Sequence, residues 1–75
     1  MIEYKIDVME ALKMRGYSTA RIRREKILAE ATMERLKKKE SITTKTMGLL
    51  CVLLRCQPSD IFQVTTTDEE KLKYF

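Results

Sequence analysis

Apolar residues recur along this chain in short bursts at helical spacing, broken by polar or charged interruptions. Val8, Ala11, Leu12 and the stem of Arg15 fall at i, i+3, i+4 and i+7, which predicts an amphipathic helix from about Lys5 to Arg15. Gly16 stands where a helix-ending glycine belongs, and Tyr17 is placed to staple the next helix entry. Ser18 or Thr19 then caps a second helix over about Thr19 to Lys26. Its apolar pin Ile22 lies too far from Leu28 to share one helical face, whereas Met33 and Leu36 are neighbours three apart. That change of phase predicts a bend near Ile27 and a third helix over about Glu30 to Lys39.

Thr43 or Thr44 opens a fourth helix running to about Arg55, with Met47, Leu50, Cys51 and Leu54 as its inward stripe. Its opposite face, Leu49, Val52, Leu53 and Cys56, is apolar as well. A helix that is apolar all round is normally covered all round, so this face is expected to meet the C-terminal tail, a second subunit or a protein partner. Pro58 starts a last short helix at the position where its missing N–H costs nothing, and Ile61 and Phe62 close the core with Tyr4. Residues 63–67 have strand propensity. Asp68 to Phe75 is a charged tail whose Leu72, Tyr74 and Phe75 either dock or fray. The pattern as a whole predicts an all-α fold, a compact bundle of about five short helices, with one domain over residues 1–64 and a tail over 65–75.

Charge changes this picture by being local. Between Lys13 and Lys45 there are eleven Lys/Arg against four Asp/Glu, a net +7 on a chain whose total is only +4. Helix two turns Arg21, Arg23, Arg24 and Lys26 to solvent, and Lys37, Lys38 and Lys39 follow at the end of helix three. Such runs are commonly solvated faces, but concentrated beside one pair of helices they also suit DNA phosphates. Pairing of one or two of these arginines with acids on helix one, such as Glu10, is a competing use.

Other chemistries have little to work with. The chain has no His, no Gly-rich phosphate cradle and no nucleophile beside a base, so neither an enzyme nor a cofactor site is expected. Cys51 and Cys56 lie on different faces of one helix and read as small apolar residues in a reducing compartment, without a metal. No apolar run is long enough to span a bilayer, and Met1 leads into a charged segment unlike a signal peptide, which predicts a cytoplasmic, nucleoid-associated protein.

The two helices around the bend make a helix-turn-helix, in which the second helix is presented to a major groove. Ser18, Ile22, Leu28, Thr32, Met33 and Leu36 match the pattern of the phage-repressor and Cro-type helix-turn-helix family, and the stretch LLCVLLRCQPSDI from Leu49 to Ile61 resembles a second motif of its short members. The similarity runs without a gap from about Tyr4 to Gln63. It implies a lambda-repressor-like fold and a small bacterial or phage regulator that binds double-stranded DNA as a homodimer.

By that resemblance Glu30, Ala31 and Arg35 are the base-reading positions. Arg35 can fork onto O6 and N7 of guanine, Ala31 can touch a thymine methyl, and Glu30 can accept from a cytosine amine. Ser18, Thr19, Arg21, Arg24, Lys37, Lys38, Lys39, Thr43 and Lys45 become the candidate phosphate contacts, and Leu49, Val52, Leu53 and Cys56 the candidate dimer or tail-docking face. The family usually has glycine in the turn where this chain has Ile27, and a β-branched residue tolerates positive φ badly. Either the turn is built differently, or helix two runs longer and the angle between the helices changes. The acids Glu30 and Glu34 and the apolar face of helix four also suit a different role, a protein-interaction module of antitoxin or anti-repressor type that keeps the fold without specific DNA binding.

Overall fold

The computed structural model describes all 75 residues. In chain order the elements are β1 (Ile2–Tyr4), α1 (Val8–Met14), α2 (Thr19–Arg24), α3 (Glu30–Lys37), α4 (Thr44–Leu54), α5 (Pro58–Ile61), β2 (Phe62–Val64) and α6 (Asp68–Tyr74). The chain is mostly helical, and the departure from an all-α bundle is a small antiparallel sheet of β1 with β2. Ile2 pairs with Val64, Glu3 with Gln63 and Tyr4 with Phe62. Both strands alternate apolar and polar residues with period two, so Ile2, Tyr4, Phe62 and Val64 share one face. Tyr4 and Phe62, at the inner end, lie with ring centroids 4.8 Å apart and pack against the core.

The sheet also explains why α1 begins later than its apolar spacing predicts. The Lys5 N–H is taken by the carbonyl of Ile61 at 2.7 Å, and the helix starts only after Asp7, whose carboxylate accepts from the Glu10 N–H at 3.2 Å. Ser18 caps α2 and Thr43 caps α4 in the same way. Arg15 is exposed and adds nothing to the inward stripe.

Nine apolar residues form the core: Val8, Leu12, Ile22, Leu28, Met33, Leu36, Leu50, Leu54 and Ile61. Each such side chain contributes about 1.5–3 kcal/mol by leaving water. They come from α1 to α5 and from the turn between α2 and α3, so the two-helix unit is pinned at Ile22, Leu28, Met33 and Leu36 onto the rest of the molecule.

One ending recurs on four helices. The N–H of Tyr17 reaches Leu12 O at 2.8 Å, Ile27 reaches Ile22 O at 3.0 Å, Glu40 reaches Arg35 O at 2.8 Å and Cys56 reaches Cys51 O at 3.0 Å. The residue just before each donor is left-handed: Gly16 (φ 89°), Lys26 (φ 53°), Lys39 (φ 58°) and Arg55 (φ 53°). This is the Schellman closure, which satisfies carbonyls that a helix end otherwise leaves bare. It corrects the expectation at the turn after α2. Positive φ falls on Lys26, an unbranched residue that accepts it at a cost of about 1–2 kcal/mol, while Ile27 keeps negative φ and packs half-buried on the core. α2 ends at Arg24 and is not prolonged through Ile27.

The tail differs from the rest. Thr67 and Glu70 form a reciprocal capping box at the start of α6, and no residue of that helix is buried. The molecule measures 48 × 23 × 19 Å, in keeping with a terminal helix that stands away from the core.

Candidate nucleic-acid interface

α3 rests on the molecule through Met33 and Leu36, both buried, which leaves Glu30, Ala31, Glu34, Arg35 and Lys38 on its exposed side. Thr32 is half-buried at the entry of the helix. Ala29 occupies the N-cap position and supplies no side-chain acceptor, so the first N–H groups of α3 have no internal side-chain partner. α2 lies just before it in the chain, pinned at Ile22, and the turn of residues 25–29 separates the two helices. Residues 5–67, most of the chain, match the model of the Cro/C1-type HTH DNA-binding domain. The chain belongs to that family. Comparison with curated proteins and with solved structures returned no significant match.

On this Cro/C1-type domain the expected contact residues divide into committed and available groups. Arg21 is committed: its Nε donates to Glu25 at 2.6 Å, its Nη1 to the carbonyl of Gly16 at 3.2 Å, and its guanidinium lies 4.6 Å from the centre of the Tyr17 ring. It binds the start of α2 to the end of α1. Thr43 is likewise occupied, accepting from the Thr46 N–H at 3.1 Å and donating its hydroxyl to Thr46 Oγ1 at 3.0 Å. Ser18 accepts from the Arg21 N–H at 3.2 Å as the α2 cap.

Arg24 is largely exposed, 3.9 Å from Glu25, and Lys37 sits 3.6 Å from Glu34 one helical turn earlier. Arg35, Lys38, Lys39 and Lys45 are exposed and take part in no ion pair. Arg35 therefore presents an unpaired guanidinium fork from the side of α3 opposite its core contacts.

Glu30, expected among the readers, has an internal partner absent from the sequence-based expectations. Arg23 donates from Nε to one carboxylate oxygen of Glu30 and from Nη2 to the other at 3.3 Å. That hydrogen bonding holds the Glu30 carboxyl below the usual carboxylate range, and the same bond holds Arg23 more firmly protonated. The predicted pairing with Glu10 on α1 is replaced by pairing within the two-helix unit: Arg21 with Glu25, and Arg23 with Glu30. The physical reason is reach, since the tight turn brings the first residue of α3 back alongside α2.

The second apolar face of α4 is smaller than its composition suggests. Leu53 and Cys56 pack against the core, and burial pushes the Cys56 thiol up from its ordinary pKa. Both cysteines are free. Leu49 is 36% and Val52 is 73% exposed, and Gly48 beside them is open to solvent. Leu72, Tyr74 and Phe75 of the tail are exposed too. No helix is long and apolar enough to cross a membrane.

Proposed function

We propose that this domain is a small bacterial or phage transcription regulator that reads duplex DNA, with residues 30–38 lying in the major groove. The observation that carries the reading is Arg35, a free guanidinium on the outer face of α3, flanked one turn on by the unpaired Lys38. In this arrangement Arg35 reads guanine and Ala31 contacts a thymine methyl, while Glu30 takes a base amine. Arg24, Lys37, Lys38, Lys39 and Lys45 grip phosphates, with Ser18 and Thr19 at the start of α2 close to the backbone. Arg21 and Thr43 are left to hold the protein's own architecture.

Two copies bind together, placing one α3 in each of two successive major grooves about 34 Å apart. Leu49 and Val52 on α4 and the apolar residues of the 65–75 tail are the surfaces proposed for that pairing. Such a protein acts on the nucleoid by occupying an operator.

A second reading rests on Leu49 and Val52 together with the acids Glu30 and Glu34. On that reading the domain docks a protein through α4 and does not select a DNA sequence. Selection from a pool of randomised duplexes at two salt concentrations separates the two. Enrichment of a palindrome with half-sites one helical turn apart, with affinity falling steeply as salt rises, is the expected result. Absence of binding at low salt overturns the regulator reading in favour of the protein-docking one.

A further inference from the structure

We propose that Arg23 is a positioning residue for base reading: it holds the Glu30 carboxylate in a two-pronged grip and thereby sets the base preference at the position that Glu30 meets. The inference rests on the DNA-reading function above and assigns a role to a side chain outside both the reading and the gripping sets.

The geometry has three parts. Arg23 comes from the last turn of α2 and Glu30 is the first residue of α3, so their paired hydrogen bonds bridge the turn between the two helices. Such a fork uses two of the roughly four acceptor positions of a carboxylate, and the others remain open to an amine donor. Glu30 makes no other side-chain hydrogen bond, and its only ion pair is with Arg23.

The electrostatic need is equally specific. Glu30 and Glu34 are four apart on the exposed side of α3, a like-charge pair that weakens a helix and repels phosphates. Each has its own cation: Arg23 for Glu30, and Lys37 at 3.6 Å for Glu34. Glu34 also adds to the field that keeps Arg23 charged. Arg23 thus offsets Glu30 within the protein, and the unpaired Arg35 and Lys38 set the sign of the face. Without Arg23, Glu30 becomes a free-swinging anion at the groove.

The test uses the full chain in four forms, wild type, Arg23→Ala, Arg23→Lys and the double variant Arg23→Ala/Glu30→Gln, each selected against the same randomised duplex pool with thermal stability measured alongside. Wild type is expected to enrich a motif with a preferred base opposite Glu30. Arg23→Ala lowers affinity for all sequences and reduces discrimination at that one position by about fivefold or more, the scale of one base contact. Arg23→Lys keeps the charge and most of the affinity but loses part of the discrimination, because an ammonium cannot fork. The double variant regains affinity without regaining the preference.

A wild-type motif that Arg23→Ala leaves unchanged at every position overturns the proposal, whether or not stability falls, and makes the pair a structural staple only. A wild-type protein that enriches no sequence overturns the reading function itself and this proposal with it. The two failures are therefore distinguishable.

Discussion

The Tyr4 hydroxyl donates to the backbone carbonyl of Glu40 at 2.7 Å, joining the N-terminal strand to the segment that leaves α3. The contact spans thirty-six residues. It ties the far end of the proposed reading helix to the sheet, where the Tyr4 ring also meets Phe62. Burial pushes the Tyr4 phenol up from its ordinary pKa. Tyr4→Phe preserves the ring and removes only this bond. It is expected to cost about 1 kcal/mol in urea unfolding, with the backbone chemical-shift changes centred on Glu40 to Ile42. Changes confined to the strands would refute the link to α3.

The turn after α2 makes opposite predictions for adjacent residues. Lys26→Gly places the permissive residue at the left-handed position and is expected to stabilise the domain by about 0.5–1 kcal/mol. Ile27→Gly removes a core-packed side chain at negative φ and is expected to cost about 2 kcal/mol or more. Midpoints of chemical denaturation for the two variants decide this, and equal shifts in one direction would mean that the turn is built otherwise.

The proposed reading and gripping roles are expected to separate at Arg35 on α3 and Lys38 at its C-cap. Arg35→Ala is expected to lower affinity for the selected site by about 1–3 kcal/mol and to change base preference. Lys38→Ala is expected to weaken all duplexes alike and to lower the slope of log K against log salt by about one. Identical behaviour of the two variants across sequences would sink the assignment of roles.

Gly48 lies within α4, and a methyl group added there meets nothing within 4 Å. Gly48→Ala is accordingly expected to stabilise the isolated domain by about 0.5–1 kcal/mol through the lower backbone entropy of the unfolded chain. Thermal unfolding at low protein concentration reads this directly. A loss of stability would show that the space beside α4 is filled in solution.

Glu30 provides a pH signature. Hydrogen bonding by Arg23 lowers its carboxyl pKa in the folded protein. A lowered carboxyl contributes stability that is present above its unfolded pKa and disappears as pH falls through the lower folded value. The α2–α3 link should therefore survive mild acid and break only below the ordinary carboxylate range. A side-chain NMR titration of Glu30 should show the depressed value in wild type and a return towards the ordinary one in Arg23→Ala. An unchanged Glu30 titration in that variant would show that the pair does not form in solution.

Much of this arrangement is legible in the amino-acid sequence. Helical spacing identified Val8, Leu12, Ile22, Met33, Leu36, Leu50 and Leu54 as inward residues, because an apolar stripe reports one burial direction directly. Ser18 and Thr43 were readable as caps for the equally local reason that a short hydroxyl serves the N–H three residues on. The sheet was half visible. Strand propensity after Phe62 was evident, but its partner Ile2–Tyr4 lies some sixty residues away, and three-residue strands carry almost no period. Arg23 and Glu30 escaped for a related reason: seven positions apart across a turn, they share no helical face, and only the turn's geometry brings them together. Periodicity places Leu53 and Cys56 outward, because it records the main stripe of α4 and not how far neighbouring elements reach around it.

The tail helix α6 has a consequence for how this protein can be interrogated. Its seven residues bury nothing, and it is held by the Thr67–Glu70 capping box and by the chain amine 3.9 Å from Glu70. A helix so short gains too little from its own hydrogen bonds to persist strongly in water. Backbone amides from Asp68 to Phe75 should therefore exchange with deuterium almost as fast as those of an unfolded peptide. Any slowing of that exchange when DNA, a second copy or another protein is added reports coverage of Leu72, Tyr74 and Phe75. Helix α6 is a built-in occupancy gauge that needs no attached probe.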